Sequence, residues 1–323
     1  MINIIKFKRK DGLKKGYLFG FIPICLDIDR HYFFNILGLI RFNKKYSYKT
    51  PALIVLENGV NDIKKNPRLI VSLTSFPERI NLVHITISTL LNQTIKTNKL
   101  ILWLAEEQFP NKKDDLPKSL EDLCKYGLEI KWSKDLKSYK KFVPAIEEYP
   151  NDIIVTADDD LYYSSDWLES LYNAYLKNTN NIYVKRANRI NIHENEIQLV
   201  KKHKRFKKEY EKASYLNITM TGSGCLFPPN SLNTDFIFKK DFLKILPTHD
   251  DIYTWAVCVL SGKKIEVIGG YSEDLVCVND TQQYGLCKIN NKSGSGISIP
   301  EALNRIKQEF PELMHILEGE INE

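Results

Sequence analysis

With 323 residues, 43% of them hydrophobic and 11% aromatic, the chain can build one large α/β core or two modest domains, which excludes a mainly disordered protein. Its net charge of +6, from 46 Lys and Arg against 40 Asp and Glu, suits an anionic ligand or an anionic membrane surface. That excess is too small, and too interleaved with acids, to indicate a nucleic-acid binder.

Residues 1–66 read as an N-terminal extension. The apolar stretches 17–26 and 32–40 fall far short of the roughly 20 residues a spanning helix needs, so neither a signal peptide nor a membrane span is expected. Lys6, Lys8, Arg9, Lys10, Lys14 and Lys15 precede them. Such a start fits either peripheral contact with an anionic leaflet or a solvated lead into an ordinary strand or two.

From Arg68 the pattern becomes regular. The run 69–73 is a buried strand ending at Thr74-Ser75-Phe76-Pro77. Asn81 is placed to cap a helix in which Val83, Ile87, Leu90 and Leu91 share a face. Strands follow at 100–104 and 128–132, separated by a polar loop (110–117) and a short helix stopped by Gly127. Residues 142–149 read as helical, and the strand 153–156 runs into Ala157-Asp158-Asp159-Asp160. A helix from Asp166 to about Tyr175 and a strand at 182–184 come next, then a basic run at 201–212 that reads as a solvated face or a contact for anionic lipid or glycan. Residues 222–231 read as a loop, 251–260 as a helix, 264–268 as a strand and 300–317 as one closing helix. Alternating strands and helices imply a mostly parallel sheet flanked by helices, with ligands beyond the carboxyl ends of the strands. Residues 67–165 would form a Rossmann-like nucleotide half and 166–323 an acceptor half. The six cysteines form no CxxC pair and no zinc-like spacing, so reduced thiols in a cytoplasmic compartment are expected.

Three consecutive carboxylates after a buried strand are the strongest chemical signal. In an extended chain Asp158 and Asp160 would face one way, about 6–7 Å apart at Cα, with Asp159 opposite. A hard divalent cation, Mn²⁺ or Mg²⁺, fits two such oxygen ligands and completes its shell from substrate phosphates. Lys140 and Lys141 read either as cations for a leaving phosphate or as a solvated pair. Arg79 reads as a phosphate contact or a helix cap. Asp250 and Asp251 open a helix whose dipole favours carboxylates, so one can be a cap and the other a base. His249 reads as a metal ligand or a structural residue. Gly222-Ser223-Gly224 reads as a close approach to a bound sugar or an ordinary turn, without the spacing of a dinucleotide fingerprint. Trp255 reads as core.

Together the apolar strand ending in Asp-x-Asp, SLTSFPERI (72–80), LLNQT (90–94) and HDDIYTWAVCVLSGKKI (249–265) resemble GT-A glycosyltransferases, and family 2 in particular, over roughly 200 residues. The resemblance implies a GT-A-like fold and transfer from a nucleotide sugar, a UDP-sugar by expectation, to a glycan or lipid-linked glycan in bacterial surface polysaccharide synthesis. It implies inversion with Asp251 as base and Asp250 as cap or acceptor contact. It also implies a donor site of Thr74, Ser75, Phe76, Arg79, Lys140, Lys141, Asp158, Asp159, Gly222 and Ser223. The metal set is Asp158, Asp160 and His249. Leu104-Ala105-Glu106-Glu107 stands where relatives carry Asp-Asp-Gly-Ser, so the base-contacting role is left open with Glu106 as its candidate, and the absence of Gln-x-x-Arg-Trp points away from processive synthesis. A sugar nucleotidyltransferase would show a Gly-rich, Arg-containing loop in place of residues 74–79, and a cation-dependent glycan-binding module would need no acid pair at 250–251.

Overall fold

In the computed structural model, side chains are described for residues 59–61, 66–200, 210–238, 240–268, 276–285 and 296–322, and the backbone also for 208–209 and five N-terminal strands. Two compact units emerge: Met1–Leu53 with Ser272–Val276, and Ile54–Tyr271 with Cys277–Glu323. In the first, β1 (Ile5–Lys10), β2 (Leu13–Leu18), β3 (Ile22–Ile28), β4 (His31–Ile36) and β5 (Ile40–Phe42) pair in sequence as an antiparallel meander. The basic side chains at its start lie outside the described residues, as does the 201–207 part of the basic run.

The second unit is an α/β domain built on a seven-stranded sheet. Chain order gives β6 (Leu69–Thr74), α1 (Val83–Leu91), β7 (Lys99–Ala105), α2 (Lys118–Cys124), β8 (Leu128–Ser133), α3 (Val143–Glu148) and β9 (Ile153–Thr156). A two-residue strand β10 (Leu161–Tyr162), α4 (Trp167–Lys177) and β11 (Ile182–Val184) follow. Next are a small sheet of β12 (Ala187–His193), β13 (Glu196–Leu199) and β14 (Asn217–Thr219), and then β15 (Cys225–Phe227). The short helices α5 (Asp235–Phe238) and α6 (Phe242–Ile245) lead to α7 (Asp250–Leu260) and β16 (Ile265–Val267). The chain ends with β17 (Val276–Cys277), α8 (Ile299–Glu309) and α9 (Glu312–Asn322).

The sheet order is β16-β11-β15-β9-β6-β7-β8. Six strands run one way and β15 runs against them, its Cys225 opposite Thr156 on one side and Val184 on the other. The central parallel strands β6 and β7 are mostly apolar because both faces are covered, and nearly every residue in them is buried, whereas β8 at the sheet edge carries Glu129 and Lys131. Ile70, Ile101, Ile154 and Ile182 join one cluster with Phe227, Trp255 and Val257. Each fully buried side chain of this size contributes about 1.5–3 kcal/mol. Trp255 is core as expected, fully buried with its indole N–H on the Tyr215 carbonyl at 2.7 Å.

Three local expectations need correction, and one element was not anticipated. Residues 222–231 contain β15, a central strand hidden by loop-forming residues on both sides of three apolar ones. The tail is two helices, because Phe310-Pro311 interrupts it: a proline cannot continue the hydrogen-bond ladder. Leu82, not Asn81, occupies the N-cap of α1, and no side chain caps it. The 187–199 hairpin turns at Glu194 and Asn195, both at positive φ, where no glycine signals a turn.

Candidate active site

The carboxyl ends of β6 and β9 and the start of β15 meet at one edge of the sheet, and the acids of α7 reach them through side chains. Thr74 closes β6 with its hydroxyl on the Trp103 carbonyl at 2.8 Å. Ser75, buried, donates to Asp159 Oδ2 at 2.6 Å. Arg79 Nη1 bridges Asp159 Oδ1 at 2.6 Å and Asp160 Oδ2 at 3.0 Å, with its guanidinium 5.4 Å from the centre of the Phe76 ring.

Asp159 and Asp160 therefore share one cation, and the strict alternation expected of an extended triplet does not hold. The strand ends at Thr156 and the chain bends through Asp159 and Asp160. Asp159 is a buried anchor: besides Ser75 and Arg79, its carbonyl accepts from Thr86 of α1 at 3.0 Å. Asp160 takes Gln282 Nε2 at 2.7 Å, and burial together with the Asp158 charge pushes its carboxyl up to about 6. Asp158 has a side chain 39% exposed, the most open of this group.

Lys141 Nζ lies 2.6 Å from Asp158 Oδ1 and 3.0 Å from Asp250 Oδ2, so one buried ammonium joins the triplet to the acid pair of α7. Burial alone would lower its pKa, but the surrounding carboxylates of Asp158, Asp250 and Asp251 raise it well above the ordinary lysine value. Lys140 is buried too but turns the other way, onto Asp135 at 2.9 Å. Replacing Lys141 with Met would leave two carboxylates without their cation and should cost about 3–5 kcal/mol of stability, read from urea unfolding. An unchanged urea midpoint and slope would disprove this role.

Asp250 accepts from Ser138 at 2.8 Å and lies 3.1 Å from the Thr221 hydroxyl. Burial raises its pKa, yet Lys141 and these donors outweigh it and hold the carboxyl below its usual range. Asp251 is only partly buried. Its Oδ1 receives the Thr221 N–H and hydroxyl, each at 2.7 Å. Burial and the adjacent Asp250 charge push it up to about 7. Two neighbouring carboxylates with pKa values driven apart are the arrangement by which proteins separate a fixed charge from a working base.

Gly222 lies directly against the triplet: an added Cβ would sit 1.7 Å from Asp158 Oδ2. Its carbonyl accepts from the Tyr163 hydroxyl, which in turn accepts the Asp158 N–H at 2.7 Å. Gly222→Ala should displace the Asp158 carboxylate, weakening Mn²⁺-supported nucleotide binding about 10-fold or more while leaving the circular dichroism spectrum intact. Binding at wild-type strength would show that Asp158 does not need this position. Ser223 is turned inward, its hydroxyl on Met220 and its carbonyl on Trp167. His249 is the N-cap residue of α7, with Nε2 2.7 Å from the Ile297 carbonyl.

Sequence reasoning missed Tyr163, Thr221, Ser138 and Gln282. The first two adjoin motifs already singled out, while Ser138 and Gln282 carry no local signal. Among the described residues no three His, Cys, Asp or Glu side chains are grouped to hold a metal, and no helix is long and apolar enough to cross a membrane. A cation would thus have Asp158 and Asp160 from the protein. That all-oxygen pair, whose mutual repulsion already raises Asp160, fits a hard divalent ion that takes its other ligands from phosphate and water.

Residues 111–240 match the family model described as Glycosyl transferase family 2, a span that includes Asp158–Asp160, Lys141 and Gly222 but not Asp250 or Asp251. No curated protein sequence matches the chain. Among solved structures, a mannosyltransferase, PcManGT from Pyrobaculum calidifontis in complex with GDP-Man and Mn²⁺, has 14% identity and a TM-score of 0.44, over 80% of this chain and 75% of that one. TarS (1–349) of S. aureus in complex with UDP-GlcNAc has 11% identity and a TM-score of 0.41, over 62% of this chain and 56% of that one.

Proposed function

From the premise that the chain carries a family 2 glycosyltransferase domain, we propose that it transfers a sugar from a nucleotide-sugar donor with inversion, using Asp251 as general base. The observation that carries this reading is the meeting of two acid clusters on Lys141. Asp158 and Asp160 lie on one side, and Asp250 and Asp251 on the other.

Inversion requires an acceptor hydroxyl to attack the anomeric carbon from the face opposite the departing diphosphate. The base must therefore stand apart from the phosphate-binding acids yet at a fixed reach from them. Asp251 meets that need: one oxygen is held by Thr221, and its pKa of about 7 suits proton abstraction near neutrality. Asp250, kept anionic by Lys141, accepts from Ser138. Asp158 and Asp160 would hold the divalent ion, Mn²⁺ or Mg²⁺, which when bound neutralises charge on the leaving diphosphate. His249 is left out of that set because its Nε2 faces the Ile297 carbonyl. Arg79 acts here as the buried counter-ion of Asp159 and Asp160, with Phe76 stacked on it. A glycan or lipid-linked glycan of a bacterial surface polysaccharide is the proposed acceptor, and a UDP-sugar the proposed donor, made at the cytoplasmic face of the membrane.

The test is a donor panel: nucleotide release from UDP-, GDP- and CMP-sugars with Mn²⁺, Mg²⁺ or EDTA, alongside calorimetric binding of each nucleotide. Metal-dependent release from one donor class is expected. Neither release nor metal-dependent nucleotide binding with any of the three would overturn the reading.

A further inference from the structure

Thr221 meets both acids at the start of α7. Its N–H donates to Asp251 Oδ1, and its hydroxyl lies 2.7 Å from that same oxygen and 3.1 Å from Asp250 Oδ2. A hydroxyl carries one proton and so serves one carboxylate at a time. The shorter distance assigns it to Asp251, since Asp250 already receives Ser138 and Lys141. Oδ1 of Asp251 is thus held by two donors from a single residue, which leaves Oδ2 as the oxygen that can face an acceptor.

Thr221 is itself fixed on the opposite side. Its carbonyl accepts from Thr156 Oγ1 at 2.8 Å, at the end of the strand that leads to the acidic triplet. The next residue, Gly222, lies against Asp158. One dipeptide therefore touches the donor-side acid and the acceptor-side acid together. Thr221 is fully buried, so it acts on Asp251 and not on a substrate.

Resting on the reading of Asp251 as base, we infer that Thr221 is a positioning residue of the transfer reaction, fixing the free oxygen of Asp251 at a set reach from the donor held beside Asp158. A space-filling residue at this position would tolerate valine, which matches threonine in shape and keeps the main-chain N–H. A positioning hydroxyl would not, and serine would restore it.

The experiment compares Thr221→Val, Thr221→Ala and Thr221→Ser, alone and in an Asp251→Asn background. The probes are nucleotide release from UDP- and GDP-sugars with Mn²⁺, and calorimetric binding of UDP and GDP with Mn²⁺. Both hydroxyl-free variants should lower kcat by about 30- to 100-fold while donor KM and nucleotide affinity stay within about threefold. Serine should return kcat to within about threefold of wild type, and Thr221→Val should cost nothing further once Asp251 is Asn. Wild-type kcat in whichever of the Val and Ala variants folds would overturn the inference. So would an undiminished loss in the Asp251→Asn background. If Asp251→Asn itself leaves kcat intact, the assignment of the base fails instead, and this inference falls with it.

Discussion

Asp251→Asn should lower kcat by about 10²- to 10⁴-fold while Mn²⁺-dependent nucleotide binding is retained, because the change removes a proton acceptor and leaves the donor-side acids untouched. As the proposed base, Asp251 would work only when ionised. With its pKa raised from 3.8 to about 7, kcat should climb as pH rises through 7 and level off above it. The same shift has a consequence for stability with a definite sign. A carboxyl whose folded pKa exceeds its unfolded value binds its proton more tightly when folded. The folded state therefore loses stability as pH rises from about 4 to about 7, and the loss is complete above that. Asn does not ionise, so the variant should melt higher than wild type at pH 8, with the gap closing towards pH 5. A Tm difference of equal size at both pH values would show that Asp251 is not held as an uncomfortable carboxylate.

Asp158→Ala should abolish Mn²⁺-dependent nucleotide binding and lower kcat/KM by about 10³-fold, corresponding to several kcal/mol of lost charge stabilisation on the leaving group. Its side chain is part exposed, and its buried partner Lys141 keeps Asp250 as counter-ion, so the fold should persist. Asp159→Ala should behave in the opposite way. It strips Ser75 of its partner and leaves Arg79 with Asp160 alone, and Arg79 Nε is already buried with no hydrogen-bond partner. About 3–5 kcal/mol of stability should go, with activity falling only as the folded fraction falls. Calorimetry with UDP or GDP and Mn²⁺, paired with urea unfolding, separates the two. Metal-dependent nucleotide binding that survives in Asp158→Ala/Asp160→Ala would remove these residues from the donor site.

The parallel strands β6, β7 and β9 were readable because each is a mostly apolar run covered on both faces, so burial and sequence report the same thing at 69–74, 99–105 and 153–156. The acidic triplet and the acid pair were readable as chemistry for a related reason: carboxylates next to buried strands or at helix starts need a function to justify their desolvation. What the triplet's geometry would be was not readable. Period-two alternation applies only while the chain stays extended, and Arg79, brought from 80 residues away, draws two adjacent carboxylates to one side. The pair Lys140-Lys141 was equally ambiguous, since adjacent side chains in a tight turn diverge, one to Asp135 and the other to Asp158 and Asp250. Ser138 and Gln282 are set by long-range contacts, and nothing in their neighbours' sequence marks them.

The reversed strand β15 sits between β9 and β11, so strands from the two halves of the chain lie side by side in one sheet. A nick at residue 165 would therefore not yield two stable lobes. The fragment ending there would expose β9 as a bare, largely apolar edge with unpaired amides along it, which invites self-association. Two fragments expressed together could still complement each other, because β15 supplies the missing hydrogen-bond partner and carries Gly222 back against Asp158. That makes the enzyme a candidate for split-reporter designs, in which recovery of sugar transfer would signal that the sheet has closed.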